Sequence, residues 1–542
     1  MPWWSGCVGS AVVVCPWHFE GIPGMSLTSM RMSLAVLTAR LPSTRLLRTR
    51  LLTAWLLTAW FLSAGHLAAE TPPPQREEAW QVIYLNGQRV GYARWLIDPR
   101  ERDGQTLIHT AAETHMTIKR FGQTLKMSTL LTSEETTAGD LLRFVFEMKN
   151  PPAQTTRTEG LVVGKELQLQ TTINGRADKL TAPWTAGLKS PTYQDRLLRQ
   201  NPLKAGESKT FEAFLPEFNK AAKITVAAGK TEAVKLLDGR EAELQRVKVS
   251  NSLLPGIVTD AWINAHGETV KSSTNMLGTE MVTYTVSRDE AMNAITVAEL
   301  DLGVSTLVKV RAIPNPYATR KAVYRITLAD DNPAKVLPVS DTQSVKPGPS
   351  DNVAEVTVTA LPLPAAAKVL PVAEEFTRPT SYLQSNDEKV QEHARLAAGE
   401  LTDPAQIARA MEKYVRDKLT NKNFSTALAS AAEVARSLEG DCTEHACLLA
   451  AMLRARQIPS RVAVGLIYVE GPSAFGGHMW TEAFLDGKWV PLDATLGRGG
   501  VGATHLKLGD ATFADDAAAP LSAFASLLTV IGKLQIEVVS VE

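Results

Sequence analysis

The stretch GDCTEHACLLAAMLRARQIPSR, Gly440 to Arg461, places a cysteine where a helix begins. Asp441 has the character of an N-cap, and Glu444, three residues on, completes a reciprocal capping pair ahead of the apolar run ACLLAAML. Cys442 is then the first helical residue. There the partial positive charge of the helix and its unsatisfied N–H groups favour thiolate over thiol, and the same N–H groups could hold an oxyanion. Pro459 ends the helix and RVAVGLIYVE, from Arg461, begins a strand. A cysteine so placed can be a nucleophile, a metal ligand or a small buried hydrophobe, and the choice depends on its partners.

A thiolate nucleophile needs a base, and the base needs a group to orient it. Downstream, FGGHMWTEAFLDGKWVPLDAT (Phe475 to Thr495) reads as two strands joined at Asp486-Gly487, a dipeptide favoured in two-residue hairpin turns. That turn sets Leu485 opposite Lys488 and Phe484 opposite Trp489, and the continued register sets Trp480 opposite Asp493. His478 shares a face with Trp480, so Asp493 falls one diagonal step from His478 on the same face. The expected set is Cys442 as nucleophile, His478 as proton carrier and Asp493 as orienter, and the reaction class is acyl transfer through a thioester.

These blocks, GDCTEHACLLAAMLRARQIPSRVAVGL, GGHMWTEAF and WVPLDAT, resemble the transglutaminase-like superfamily, which is built on a papain-like fold. The resemblance covers roughly residues 379–540. It implies a catalytic cysteine at a helix N-terminus packed against an antiparallel sheet that carries the histidine and the aspartate. Cys442 in GDC, His478 in GHMW and Asp493 in PLDAT are the matching positions. Exported bacterial members resemble peptidases and amidases as often as cross-linking enzymes. The sequence shows no acidic calcium loop like those of the animal enzymes, and no cofactor is expected.

Other residues near these blocks have weaker claims. Trp480 either shields the His478–Asp493 pair or lines an acyl-donor groove, with simple core packing as the alternative. Glu482, on the same strand face, is expected at the surface or bonded to nearby backbone. His445 shares a helix face with Cys442 and is expected to be a packing or hydrogen-bonding neighbour. Cys447 points about 140° away from Cys442, which disfavours both a disulfide and a zinc site made from Cys442, His445, Cys447 and His478, so no metal is expected. Cys447 is read as core. Asn423, in the polar loop NKNF, is a candidate side-chain donor to an oxyanion. His505, in THLKLGD, offers no signal beyond that of an ordinary strand histidine.

The rest of the 542-residue chain is read as an α+β, multidomain architecture, with antiparallel β domains ahead of a C-terminal papain-like domain. Residues 1–69 carry the order of a secretory signal: Arg31 to Arg50 supply the basic region, Leu51 to Leu62 the short apolar core, and Ser63 to Ala69 the small residues. Met25, Met30 or Met32 could be the true start. Residues 70–294 alternate in strand fashion, with a hairpin at Asn86-Gly87, and read as one large antiparallel β domain, with a division into two sub-sheets as the alternative. Residues 295–372 form a small β domain in which AKVLPV occurs at both Ala334 and Ala367, taken as proline-broken strand edges. Residues 373–542 hold the helices and the motif blocks.

Lys+Arg and Asp+Glu balance at 57 each, which gives no electrostatic case for nucleic acid. The expected location is exported, periplasmic or extracellular, with an uncleaved N-terminal signal anchor in the inner membrane as the alternative. The expected function is thiol-dependent acyl transfer on peptide or side-chain amides, hydrolysis favoured over transamidation, with a protein or peptide substrate. The competing class is an inactive cell-envelope scaffold or binding protein on the same fold.

Overall fold

The computed structural model describes residues 75–542 apart from 152, 154, 174, 255, 277, 294–300, 330, 427 and 515–523. The expected signal segment lies outside the described residues. Among the described residues no helix is long and apolar enough to cross a membrane.

The alternating N-terminal region forms a single antiparallel sheet of 14 strands. Two meanders build it. The first runs from Glu77–Leu85 to Arg176–Pro183, and the second, after the helix Tyr193–Gln200, from Ser208–Leu215 to Thr279–Val286. They join where the first strand pairs with the last, in the register Trp80↔Val286 to Leu85↔Met281. Asn86 and Gly87 both have positive φ, 45° and 77°, as the mirror-image two-residue turn requires. The sheet curls until its far parts meet. Lys189 bridges to Asp140 on one side and Ala213 on the other, and the rings of Phe144 and Trp184 lie 5.4 and 5.5 Å from that of Phe214.

Two smaller sheets follow. One has the order Gln343–Pro347, Val353–Thr359, Lys321–Leu328, Leu534–Val541. Its last strand comes from the C-terminus, so a sheet crosses the boundary drawn at 372. Neither AKVLPV copy is a strand: the first begins within the short helix Pro333–Val336, capped by Asn332, and the second has no regular structure. Proline at the first helical position suits the former, where its missing N–H would be unsatisfied in any case.

The other sheet carries the motif blocks, in the order Val308–Lys309, Ala474–Leu485, Ser460–Val469, His505–Ala511. Lys488–Leu492 pairs with Thr481 to Leu485 on the same edge of the central strand that Val308–Lys309 covers at Ala474 and Phe475. Between those partners, residues 476–480 have no strand on that edge among the described residues. The helix Cys442–Ala455 lies against this strand. It is buried from Cys442 to Arg454, because helices Glu388–Ala398, Pro404–Lys418 and Ala431–Ser437 cover its other sides. A helix apolar almost all round suits such a central position. The charged head of the buried Arg454 is met by the carbonyls of Arg378, Ser460 and Thr512.

Candidate active site

Asp441 caps the helix as its sequence suggests. Its side chain accepts from the backbone N–H groups of Thr443 and Glu444, and the Glu444 carboxylate accepts from the N–H of Asp441 at 2.9 Å. Gly440 sits at φ 140°, and a Cβ there would stand 2.4 Å from the Glu444 side chain, so the glycine of GDC is what lets the cap close. The capping also takes two of the N–H groups considered for an oxyanion, those of Thr443 and Glu444.

Cys442 faces the uncovered part of the central strand. The backbone N–H of Met479 points at its sulfur across 3.3 Å. On the adjoining residue, His478 Nε2 is 2.8 Å from Asp493 Oδ2. The hairpin has the register Phe484↔Trp489 and Leu485↔Lys488, with Asp486 and Gly487 at φ 50° and 79°, which delivers Asp493 just past the end of its strand to the imidazole. All three side chains are buried: Cys442 is 3 % exposed, His478 1 % and Asp493 0 %.

The electrostatics follow from this burial. Burial disfavours the imidazolium, but the charges of Asp493 and Cys442, with the hydrogen bonding they offer, outweigh it and hold His478 well above its ordinary value of 6.5. Burial likewise disfavours ionised Asp493, yet His478 and the hydrogen bonds from both histidines hold it well below the usual carboxylate range. Nε2 of His478 is engaged by Asp493, while Nδ1 makes no hydrogen bond at the ordinary distance and angle.

His505 joins this set. Its Nε2 lies 3.1 Å from the same Asp493 Oδ2, although its strand is separated from that of His478 by Ser460–Val469. The Trp480 ring spans that gap, 6.3 Å from His478 and 5.4 Å from His505. Gly465 makes the crossing feasible, for a Cβ at this position would lie 2.9 Å from Trp480 Cη2 and 2.0 Å from the Leu506 carbonyl oxygen. Trp480 is 3 % exposed, and its ring lies beside both imidazoles.

Glu412, on the helix Pro404–Lys418, is a second residue the sequence did not reveal. Its carboxylate accepts from the N–H groups of Asp493 at 3.0 Å and Gly499 at 2.6 Å. Burial, then the charge of Asp493, pushes it up to about 7. No motif marks it, since a glutamate in an amphipathic helix is ordinarily solvated. Glycines 497, 499 and 500, all at positive φ, were the available hint that backbone there turns tightly toward something.

The weaker candidates are also placed. His445 donates or accepts locally, Nδ1 to the Asp441 carbonyl at 2.6 Å and Nε2 to Lys422 Nζ at 2.9 Å. Burial and the Lys422 charge lower it to about 3, which keeps it neutral. Cys447 is fully buried in the core, and burial pushes its thiol up. Asn423 Oδ1 accepts from the N–H and hydroxyl of Ser425, a local turn. Glu482 is not at the surface: it is 2 % exposed and paired with Lys507 and Arg461, both at 2.7 Å.

Among the described residues, His478, Asp493 and His505 are also the set whose potential metal-ligating atoms lie within 4.8 Å of one another. Their separations of 2.8 and 3.1 Å are hydrogen-bond distances, with both imidazoles directed at one carboxylate oxygen.

Residues 392–494, which contain Cys442, His478 and Asp493, match the sequence profile of the transglutaminase-like superfamily. This region is a transglutaminase-like domain. No curated protein sequence matches the chain significantly. Among solved structures, the chain is similar to a candidate cysteine protease from Cytophaga hutchinsonii, with 17% identity over 40% of this chain and 85% of that one and a TM-score of 0.28. It is also similar to a β-barrel-like protein from Brucella abortus, with 14% identity over 39% of this chain and 96% of that one and a TM-score of 0.29. A third likeness, to a candidate protease from Parabacteroides distasonis, has 11% identity, covers 65% of this chain and 64% of that one, and has a TM-score of 0.18. The transglutaminase-like domain thus supplies the helix and strands on which the buried Cys–His–Asp set stands.

Proposed function

We propose that the protein is a thiol-dependent acyl-transfer enzyme acting on peptide or side-chain amides, with Cys442, His478 and Asp493 as its catalytic residues. The observation that carries this reading is the buried convergence of the three side chains: Asp493 Oδ2 lies 2.8 Å from His478 Nε2, and the N–H of the adjoining Met479 meets the Cys442 sulfur at 3.3 Å. In the first half-reaction the sulfur attacks the substrate carbonyl carbon, the C–N bond breaks, and the proton on His478 passes to the departing nitrogen. A thioester results. In the second, His478 takes a proton from water as the water oxygen attacks the thioester, and the carboxylic acid leaves with the thiol restored. An amine in place of water would give transamidation. Hydrolysis is the preferred outcome, because water needs no second binding site beside the sulfur. The basic region and apolar core of Arg31 to Leu62 support export as the setting.

The test is incubation with a glutamine-containing peptide, with and without a primary amine, followed by mass analysis. Hydrolysed product in both, lost in Cys442→Ala, is expected. Dominant amine incorporation would reverse the preference for hydrolysis. Unchanged peptide, together with iodoacetamide labelling of Cys442 that is indifferent to His478→Ala, would leave the scaffold reading in its place.

A further inference from the structure

The curled 14-stranded sheet encloses a cavity of about 230 Å³, far along the chain from Cys442. Most of its wall is apolar, with Phe146, Met148, Leu198 and Met281 contributed by both meanders and by the helix between them. Three carboxyl groups interrupt it: Glu113, which pairs with His115 at 2.6 Å and with Arg94 at 3.9 Å, and those of Glu217 and Asp195.

Glu217 occupies the tight turn between Ser208–Leu215 and Lys220–Lys235, where the Phe218 N–H bonds to the Leu215 carbonyl at 3.0 Å. A glutamate in a hairpin turn can ordinarily reach water at no cost. Here the turn is folded inward, residues 213–218 are all buried, and Glu217 is only 7 % exposed. Its Oε2 has no hydrogen-bond partner. The cations that line the same cavity are already matched elsewhere: Arg94 pairs with Glu78 at 2.6 Å, and Arg199 pairs with Glu77 while lying 4.4 Å from the Trp95 ring centroid. Among the described residues neither Glu217 nor Asp195 forms an ion pair. Burial alone pushes Asp195 up to about 6, and burial, opposed weakly by its own backbone N–H, pushes Glu217 up to about 7. An isolated carboxyl in an apolar wall costs stability, and such a cost is retained where a ligand offsets it.

We propose that this cavity binds an amphipathic amine, with an alkyl or aryl body against Phe146, Met148, Leu198 and Met281 and a protonated nitrogen donating to Glu217 Oε2. This goes beyond the acyl-transfer reading and stands without it. Charge complementarity selects the amine over a fatty acid, whose carboxylate would meet Glu217 and Asp195 with like charge. The apolar wall selects an organic body over a bare cation.

The test is calorimetric titration of the full exported chain carrying Cys442→Ala with octylamine, octanol and octanoate at pH 7.5. Octylamine should bind saturably at one site and the other two at least about tenfold more weakly, and Glu217→Gln should cost roughly 10-fold or more in octylamine affinity. Glu217→Gln should also raise Tm without ligand, because it removes the uncompensated carboxyl, whereas a purely structural Glu217 would give a lower Tm. Glu217→Asp should retain octylamine binding. Equal or tighter binding of octanoate or octanol, no binding of octylamine, or octylamine binding indifferent to Glu217→Gln would each overturn the proposal. Because Cys442 is absent from the titrated protein, either outcome is independent of the proposed chemistry.

Discussion

The guanidinium of Arg120 forms a buried ion pair with the carboxylate of Asp441, the residue that caps the helix carrying Cys442. Arg120 ends the strand Gln105–Arg120 of the large sheet, and it also donates to the Thr426 carbonyl at 2.8 Å. The turn beyond it is docked too. Phe121, held at φ 48°, packs its ring 5.3 Å from that of Phe424, and Gln123 Oε1 accepts from the Phe424 N–H at 2.7 Å. Phe121 is a bulky residue in the left-handed region, a conformation the docking contacts must sustain. A hairpin tip of the β domain therefore supports the loop and cap just ahead of the cysteine.

Removing one member of a buried pair strands the other, so Arg120→Leu should destabilise the protein by about 3–5 kcal/mol. Arg120 Nε and Nη1 lack partners, which means the pair contributes less than its rupture costs. In an Asp441→Asn background the same change should cost clearly less. Urea unfolding of the four proteins checks this, and equal costs in both backgrounds would show that the ion pair is not what couples the β domain to the helix.

Asp493→Asn should move the alkaline limb of the kcat/KM profile to lower pH. His478 is raised above 6.5, so the stabilisation it gains is fully present below that pH and is lost as pH rises through the folded value. Asp493 is lowered, so its contribution is present above its ordinary 3.8 and is lost only in strong acid. Both groups are therefore charged across neutral pH. Asparagine removes the largest influence raising His478, and the imidazolium then loses its proton earlier. The rate at the optimum should fall roughly 10³–10⁴-fold, as expected when the orienting carboxylate is replaced. An alkaline limb that stays in place would remove Asp493 from its assigned role.

Much of this site was legible because it depends on local rules. The cap at Asp441 and Glu444 and the Asp486-Gly487 turn are written in short stretches, and the turn alone fixes which residues of the hairpin share a face. His505, Glu412 and Arg120 were not legible, since each reaches the site by tertiary packing. His505 arrives across an intervening strand, Glu412 from a helix 81 residues before its partner Asp493, and Arg120 from a sheet 321 residues before its partner. Gly465 was the overlooked sign, because a glycine inside a strand marks a close approach. The expected division of residues 70–372 from the helices missed the C-terminal strand Leu534–Val541 for a related reason: strand pairing between distant segments leaves no local trace.

Substitution of His505 separates its hydrogen bond from its packing. His505→Phe keeps a ring against Trp480 but deprives Asp493 of the second donor. A hydrogen bond to a charged group contributes about 1.5–3 kcal/mol, so kcat should drop roughly 10- to 100-fold if that donor sets the position of Asp493 in the transition state. His505→Gln, which can still donate, should recover part of the loss with KM unchanged. Full activity in His505→Phe would reduce His505 to a packing residue.

Gly465→Ala tests the route by which Trp480 crosses the sheet. The added methyl would meet the Leu506 carbonyl and Trp480 Cη2, and the former is backbone that cannot rotate away. A cost of about 1–3 kcal/mol or more is expected, with a parallel fall in activity as Trp480 and His505 shift. Thermal unfolding and the His505→Phe comparison check it. A stable, fully active Gly465→Ala protein would show that the crossing is not constrained there.

Metal addition discriminates between a proton array and a metal centre at His478, Asp493 and His505. As a hydrogen-bonded array the set needs its ring N–H donors, and a zinc ion would compete for the very Nε2 and Oδ2 atoms that hold the imidazole of His478 in place. Extended dialysis against a chelator should therefore leave activity unchanged, while added zinc should inhibit with proton release. Inhibition should weaken in His505→Phe, which lacks one ligand. Activity lost on chelation and regained with zinc would reverse the assignment and make the three side chains a metal site.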